Sequence, residues 1–264
     1  MNVERSCYRN RGSATKDVMI RSTPNDPTFL FDDLPLHWQM TRCEKYAFAS
    51  ILEVAHPEAA IEIGTYEGGS LQLISKYAEK VYSIDISSEP SDRLGDRFDH
   101  VEFLTGDSKQ LIPTALKTIA DANEKLGFVL IDGDHSTLGV KSDIEAVLQH
   151  VPTCPVYIVF HDSFYPPSRA GILAANWEQC THVHYVEVDF IPGVYHHEAF
   201  DTARARSMYG GLALAILRPE KRIEPLIIHQ SQQGLFETVL PHSCHAQRPW
   251  PLELMRRVKR KLLG

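Results

Sequence analysis

Three things are scarce or missing in this sequence, and each removes a class of protein. Long apolar runs are absent: no stretch of the 264 residues reaches the ~18 that a bilayer-spanning helix needs. A basic excess is absent: 27 Lys and Arg against 34 Asp and Glu leave a net charge of −7. That balance excludes a general nucleic-acid binder. Paired cysteines are absent: Cys7, Cys43, Cys154, Cys180 and Cys244 are odd in number, scattered and without a CxxC spacing. They read as free thiols of a reducing compartment, and the polar opening MNVERSCYRNRGS has no apolar signal core, so a cytoplasmic protein is expected. Wholesale disorder is excluded too, because 43% hydrophobic and 23% charged residues is close to the globular average.

What is present is an alternation. Residues 1–40 have weak periodicity and two proline turns, STPNDP and DLPL, and read as an N-terminal extension. Its patch Leu34, Leu36, Trp38 suits a cover over a pocket or packing on the core, and packing is the commoner outcome. A helical period through Tyr46, Ile51, Leu52 and Val54 should stop near His56-Pro57. From there the short runs AAIEI (59–63), VYSIDI (81–86), VEFL (101–104), GFVLI (127–131) and VYIVF (156–160) alternate with helix-like segments. Strand–helix alternation predicts a parallel sheet covered on both faces, in an α/β domain over 41–220. VHYVEV (183–188) and LALAIL (212–217) lack a clear helix between them and read as an antiparallel pair at one sheet edge.

Ligands of such sheets sit beyond the carboxyl ends of the strands. The first strand runs into Gly64-Thr65-Tyr66-Glu67-Gly68-Gly69-Ser70, a glycine-rich turn before a helix start that offers free N–H groups. The spacing is GxxxGG, so the pyrophosphate fingerprint GxGxxG is imperfect. The second strand ends at Asp85, 21 positions after Gly64, the distance at which an acid meets ribose hydroxyls. Glu62, at the loop edge, would repel a pyrophosphate and attract a cationic amino group. Gly106-Asp107-Ser108 ends the third strand with polar groups for an adenine edge. Loop and acids together favour an adenosine-containing methyl donor over NAD.

The fourth and fifth strands end in Asp132-Gly133-Asp134-His135 and His161-Asp162-Ser163. If these strands are neighbours, two acid–histidine clusters face each other, and Asp132, His161 and Asp162 become candidate ligands of a divalent ion. His182 and His184, and the loop pair His196-His197, have no acid nearby and read as structural.

The series IEIGTYEGGSLQLIS, VYSIDI, FLTGDS, FVLIDGDHSTLGVKSDIEAVL and IVFHDSF resembles class I S-adenosylmethionine-dependent methyltransferases over residues 45–165. Within them it is similar to the branch of macrolide-sugar O-methyltransferases and cephalosporin hydroxylase-like proteins. The resemblance implies a Rossmann-like methyltransferase fold, a seven-stranded, mostly parallel sheet with an antiparallel edge hairpin. It implies that Glu62, Gly64, Thr65, Tyr66, Gly68 and Ser70 hold the methionine part of S-adenosylmethionine. Asp85 would hold the ribose, and Asp107 with Ser108 the adenine. Asp132 matches a magnesium ligand of the sugar enzymes and His135 their general base. Their later ligand pair is glutamate–aspartate, where this chain has His161-Asp162. The metal expected is Mg²⁺ or Mn²⁺, and a histidine ligand also suits iron, nickel or zinc.

The expected activity is therefore O-methylation of a small-molecule acceptor, a sugar or natural-product hydroxyl. Two alternatives stand beside it: a metal-dependent hydrolase built on the two clusters, and a non-catalytic S-adenosylmethionine-binding protein. The segment 190–210, with Arg204 and Arg206, reads as an acceptor loop. Residues 221–264 read as a C-terminal extension. Its tail RPWPLELMRRVKRKLLG carries six bases and one acid around a stripe of Leu254, Val258 and Leu262. That stripe would dock on the domain or on a second subunit of a homo-oligomer rather than on a membrane.

Overall fold

The computed structural model describes residues 34–197 and 206–246. Cys7, Arg204 and the basic tail lie outside the described residues. The chain divides into two units, Met1–Pro35 and Leu36–Gly264, and every element below belongs to the second.

Helix α1 (Arg42–Ala55) opens on a capping box: Thr41 accepts the N–H of Glu44, and the Glu44 carboxylate accepts the N–H of Thr41. It ends where His56 turns left-handed ahead of Pro57. Phe48, Ile51 and Leu52 form its buried face, whereas Val54, counted in the expected stripe, points to solvent. Strands and helices then alternate: β1 (Ala59–Ile63), α2 (Leu71–Tyr77), β2 (Lys80–Asp85), α3 (Glu89–Leu94), β3 (Val101–Thr105), α4 (Ser108–Asp121), β4 (Leu126–Ile131), α5 (Thr137–Val147), β5 (Val156–His161) and α6 (Pro166–Ala174). The remainder is mostly strand: β6 (Val183–Ile191), β7 (Val194–Tyr195), β8 (Met208–Tyr209), β9 (Leu212–Leu217), β10 (Ile228–His229), and a last helix α7 (Gln233–Val239).

The sheet order is β10-β6-β9-β5-β4-β1-β2-β3. β1 to β5 are parallel, β9 runs antiparallel to both β5 and β6, and β10 is parallel to β6. This is the expected Rossmann-like fold with one correction. The sheet has eight strands, not seven, and β10 rather than the β6–β9 pair forms that edge. Two residues opposite Val186 and Glu187 are too short a strand to show a period in sequence. The stretch read as an extension after residue 220 thus contributes a strand to the sheet, and Phe236 of α7 packs edge-on against Phe164.

Alternation along the strands fills two cores. Ile61, Ile63, Ile84, Val129 and Ile131 pack with Ile112, Ile119, Val140, Ile144 and Trp177. Ala60 and Phe128 turn to the other face, where Phe128 meets Phe48 edge-on at 5.4 Å. Neighbours β1 and β4 are followed by helices in opposite directions across the sheet, which opens a crevice at their carboxyl ends.

Candidate active site

Backbone bonds pull the strand ends into one rim. Gly64 N–H donates to Ile84 O, Gly106 N–H to Asp85 O and Asp132 N–H to Ile63 O, each at 2.8 Å. Gly64 has φ 89°, and a Cβ there would lie 2.2 Å from the carbonyl oxygen of Asp132. Only glycine lets the first loop pass so close to the fourth strand end.

Above this rim lies a cavity of about 810 Å³. Of the residues singled out in the sequence, Gly64, Thr65, Tyr66, Ser70, Asp85, Asp107, Ser108, Asp132, His135, His161 and Asp162 all line it. Two do not. Gly68 faces the side chains of Leu94 and Leu36 instead. Glu62, expected at the loop edge, lies beneath the loop with no exposed surface. Its carboxylate accepts the hydroxyls of Ser70 at 2.6 Å and Ser83 at 3.1 Å. Burial raises its pKa to about 7, against the opposing pull of those hydroxyls.

Asp85 buckles the glycine loop to β2. Its Oδ2 accepts the N–H groups of Thr65 (3.0 Å) and Tyr66 (3.1 Å), and Oδ1 accepts that of Ser87 (2.9 Å). Asp107 caps α4 through the N–H of Lys109. Ser108 donates its hydroxyl to Asp143 at 2.6 Å, leaving its lone pairs for other partners. Burial raises the pKa of Asp143 to about 6.

At the other end the two acid–histidine clusters meet, because β4 and β5 are paired neighbours. Asp132 Oδ1 faces both His135 Nε2 (3.1 Å) and His161 Nδ1 (3.0 Å). Asp162 Oδ2 is 3.4 Å from His135 Nδ1 and 3.9 Å from His161 Nδ1. Asp132, His161 and Asp162 each offer a ligand atom within 4.8 Å of the others. Burial opposes the charge on His161, yet Asp132, Glu44 and Asp162 hold its pKa well above 6.5. Burial alone would raise the pKa of Asp132, but the two histidines lower it below the usual value. The hydrogen bond to Asp132 raises the pKa of His135.

One expected contributor is present in both of its expected roles, and one, Glu44, escaped the sequence reading. Trp38 both packs edge-on against Phe48 at 5.6 Å and lines the cavity, so its two expected roles are not exclusive. Glu44, 1% exposed, stands 3.6 Å from His161 Nε2. The other histidines are engaged elsewhere: His182 and His184 with the carbonyls of Arg218 and Glu220, and His196 with the Tyr209 hydroxyl. Arg206 donates to the carbonyl of His242.

Residues 61–163, from the first strand to the HDS cluster, match the family model described as a methyltransferase domain. Over that stretch the chain is similar to methyltransferase domains. Its structural relatives include an O-methyltransferase from Bacillus cereus in complex with SAH, at 16% identity and TM-score 0.49 over 76% of this chain and 94% of that one. Another is TomG from Streptomyces achromogenes, an O-methyltransferase involved in tomaymycin synthesis, in complex with SAM (13% identity, TM-score 0.49, 73% and 86% of the two chains). A third is the N-methyltransferase NodS from Bradyrhizobium japonicum with S-adenosyl-L-homocysteine (14%, 0.43, 75% and 94%). No curated protein matches the chain. Among the described residues no helix is long and apolar enough to cross a membrane.

Proposed function

We propose that this chain is an S-adenosylmethionine-dependent O-methyltransferase for a hydroxyl of a small molecule, a sugar or another natural product, assisted by a divalent ion. The observation that carries this reading is the charge of the cavity. Its wall holds the carboxylates of Glu67, Asp85, Asp107, Asp132, Asp134 and Asp162 against Lys109 and the histidines His135 and His161, so acids predominate. A pyrophosphate would meet like charge there, whereas a ligand with a sulfonium and an ammonium meets its complement. The volume also lies in the range of small-molecule sites.

The donor set fits the cofactor. Asp85 Oδ1 carries one backbone N–H and has capacity left for a ribose hydroxyl. The Ser108 oxygen, its proton committed to Asp143, is an acceptor suited to an adenine amino group, beside Asp107. Gly64, Thr65, Tyr66 and Ser70 would shape the methionine end. Glu62 and Gly68 serve it from behind, Glu62 by holding Ser70. S-adenosylmethionine, when bound, supplies an electrophilic methyl group on its sulfonium.

The metal set fits as well: Asp132, His161 and Asp162 converge and combine oxygen with imidazole ligands, as manganese, iron, nickel or zinc prefer. A divalent ion there would supply Lewis acidity toward the acceptor hydroxyl. His135 would supply the base: Asp132 faces its Nε2 and Asp162 its Nδ1, so the two carboxylates orient the ring that takes the acceptor's proton. Trp38 and Met40 close part of the wall and exclude water. Most of the rate would come from holding the two reactants in line, an effect worth up to about 7–11 kcal/mol.

A hydrolase reading leaves the glycine loop and Asp85 without work. The test is equilibrium binding of S-adenosylmethionine, followed by methyl transfer to a panel of sugar and phenolic hydroxyls with and without chelator. Absence of binding sinks the reading. Binding with chelator-insensitive transfer sinks the metal.

A further inference from the structure

His161 is partly buried and stands between carboxylates on both sides of its ring. Nδ1 faces Asp132 and Asp162 in the cavity. Nε2 is buried without a hydrogen-bond partner, and the acceptor that faces it is Glu44 Oε1 at 3.6 Å. A buried N–H left unpaired is costly, so the ring is drawn toward that oxygen.

Glu44 itself is held rigidly. Its Oε2 accepts the N–H of Thr41 and its Oε1 that of Gly211, both at 2.5 Å. The Gly210-Gly211 turn, with φ 68° and 84°, closes on the carboxylate: a Cβ on Gly210 would lie 2.9 Å from Oε1. The same turn donates the Gly210 N–H to Asp162 Oδ1. One turn therefore positions both the carboxylate behind His161 and the aspartate beside it. Glu44 is not among the three residues whose ligand atoms converge.

We infer that Glu44 is the positioning residue of the metal centre: it holds His161 as the Nε2–H form and turns the Nδ1 lone pair to the ion. The inference rests on the metal reading above. A carboxylate behind a ligating histidine fixes tautomer and ring orientation, and its loss typically costs ten- to a hundredfold in metal affinity.

The test is calorimetric titration of the full chain with Mn²⁺ and Zn²⁺, wild type against Glu44→Gln and Thr41→Ala. Thr41→Ala removes the hydroxyl of the capping box and leaves the Glu44 carboxylate. Glu44→Gln should lose ten- to a hundredfold in metal affinity with S-adenosylmethionine affinity unchanged, while Thr41→Ala keeps wild-type metal affinity. Equal metal affinity in wild type and Glu44→Gln overturns the inference, and so does an equal loss in Thr41→Ala, which would mark a general effect of the helix end. A wild-type chain that takes up neither ion overturns the metal reading and this inference with it. A second measurement needs no variant: nitrogen NMR of the zinc-loaded, histidine-labelled chain should show His161 protonated at Nε2 and ligated through Nδ1. Ligation through Nε2 would overturn the assignment.

Discussion

The Asp85 carboxylate accepts the backbone N–H of Tyr66 at 3.1 Å, at the residue where the glycine loop turns left-handed with φ 46°. The acid that ends β2 is thus also the anchor of the loop that follows β1. Removing it should act on the proposed cofactor site twice, through the ribose contact assigned to it and through the loop.

Asp85→Ala should lower S-adenosylmethionine affinity at least tenfold, because hydrogen bonds to a charged acceptor contribute about 1.5–3 kcal/mol each. Calorimetry on the folded variant reads this directly. Unchanged affinity would remove Asp85 from the cofactor site.

Glu62 makes stability depend on pH. Its folded pKa, about 7, is raised above the ordinary 4.5, so between those values the unfolded chain has released the proton and the folded chain retains it. Stability should therefore fall as pH rises from 4.5 to 7 and level off above. The span corresponds to about 3 kcal/mol. Glu62→Gln, which keeps an acceptor for one serine, should remove that slope. Denaturant midpoints for both proteins across pH 4.5–8 give the difference, and parallel profiles would show that Glu62 does not titrate this way.

Gly64→Ala should destabilise the fold by at least about 3 kcal/mol, since its Cβ would meet the Asp132 carbonyl at 2.2 Å in a left-handed conformation. Gly95→Ala is the matched control. Gly95 has φ −53° and nothing within 4 Å of an added Cβ, so alanine there should gain about 0.4–1 kcal/mol. Thermal melts of the pair decide, and a Gly64→Ala protein as stable as Gly95→Ala would contradict the close approach.

The proposed metal centre predicts a specific pattern of loss. His161→Ala and Asp162→Ala should each abolish uptake of a divalent ion, read by elemental analysis after exposure to manganese and zinc, while Asp107→Ala should not. Anomalous scattering from crystals soaked in manganese should place the ion between Asp132, His161 and Asp162. An empty site at saturating magnesium, manganese and zinc would count against it.

Most of the cavity was legible from residues 59–163. Strand runs that end in glycine or acid place those ends on one rim, so Gly64, Asp85, Asp107, Asp132, His135, His161 and Asp162 could be named in order and all line one cavity. Glu44 could not be found that way. Thr41 and Glu44 read locally as a capping box, which they are, and the link from Glu44 to Gly211 spans 167 residues. Trp38 reads as a pocket cover or a core residue, and it is both. The strand β10 carries no period to read.

The sequence by itself determined the α/β alternation, the glycine loop and the types of residue at each strand end, because side-chain periodicity and turn chemistry are local. Tertiary structure decided the rest. Pairing of β4 with β5 brought DGDH and HDS together, closure of the Gly210-Gly211 turn set Glu44 behind His161, and burial beneath the loop took Glu62 out of the cavity. A pattern along the chain says which face a residue takes. Its neighbours, and hence its charge state, follow from contacts between segments far apart in sequence.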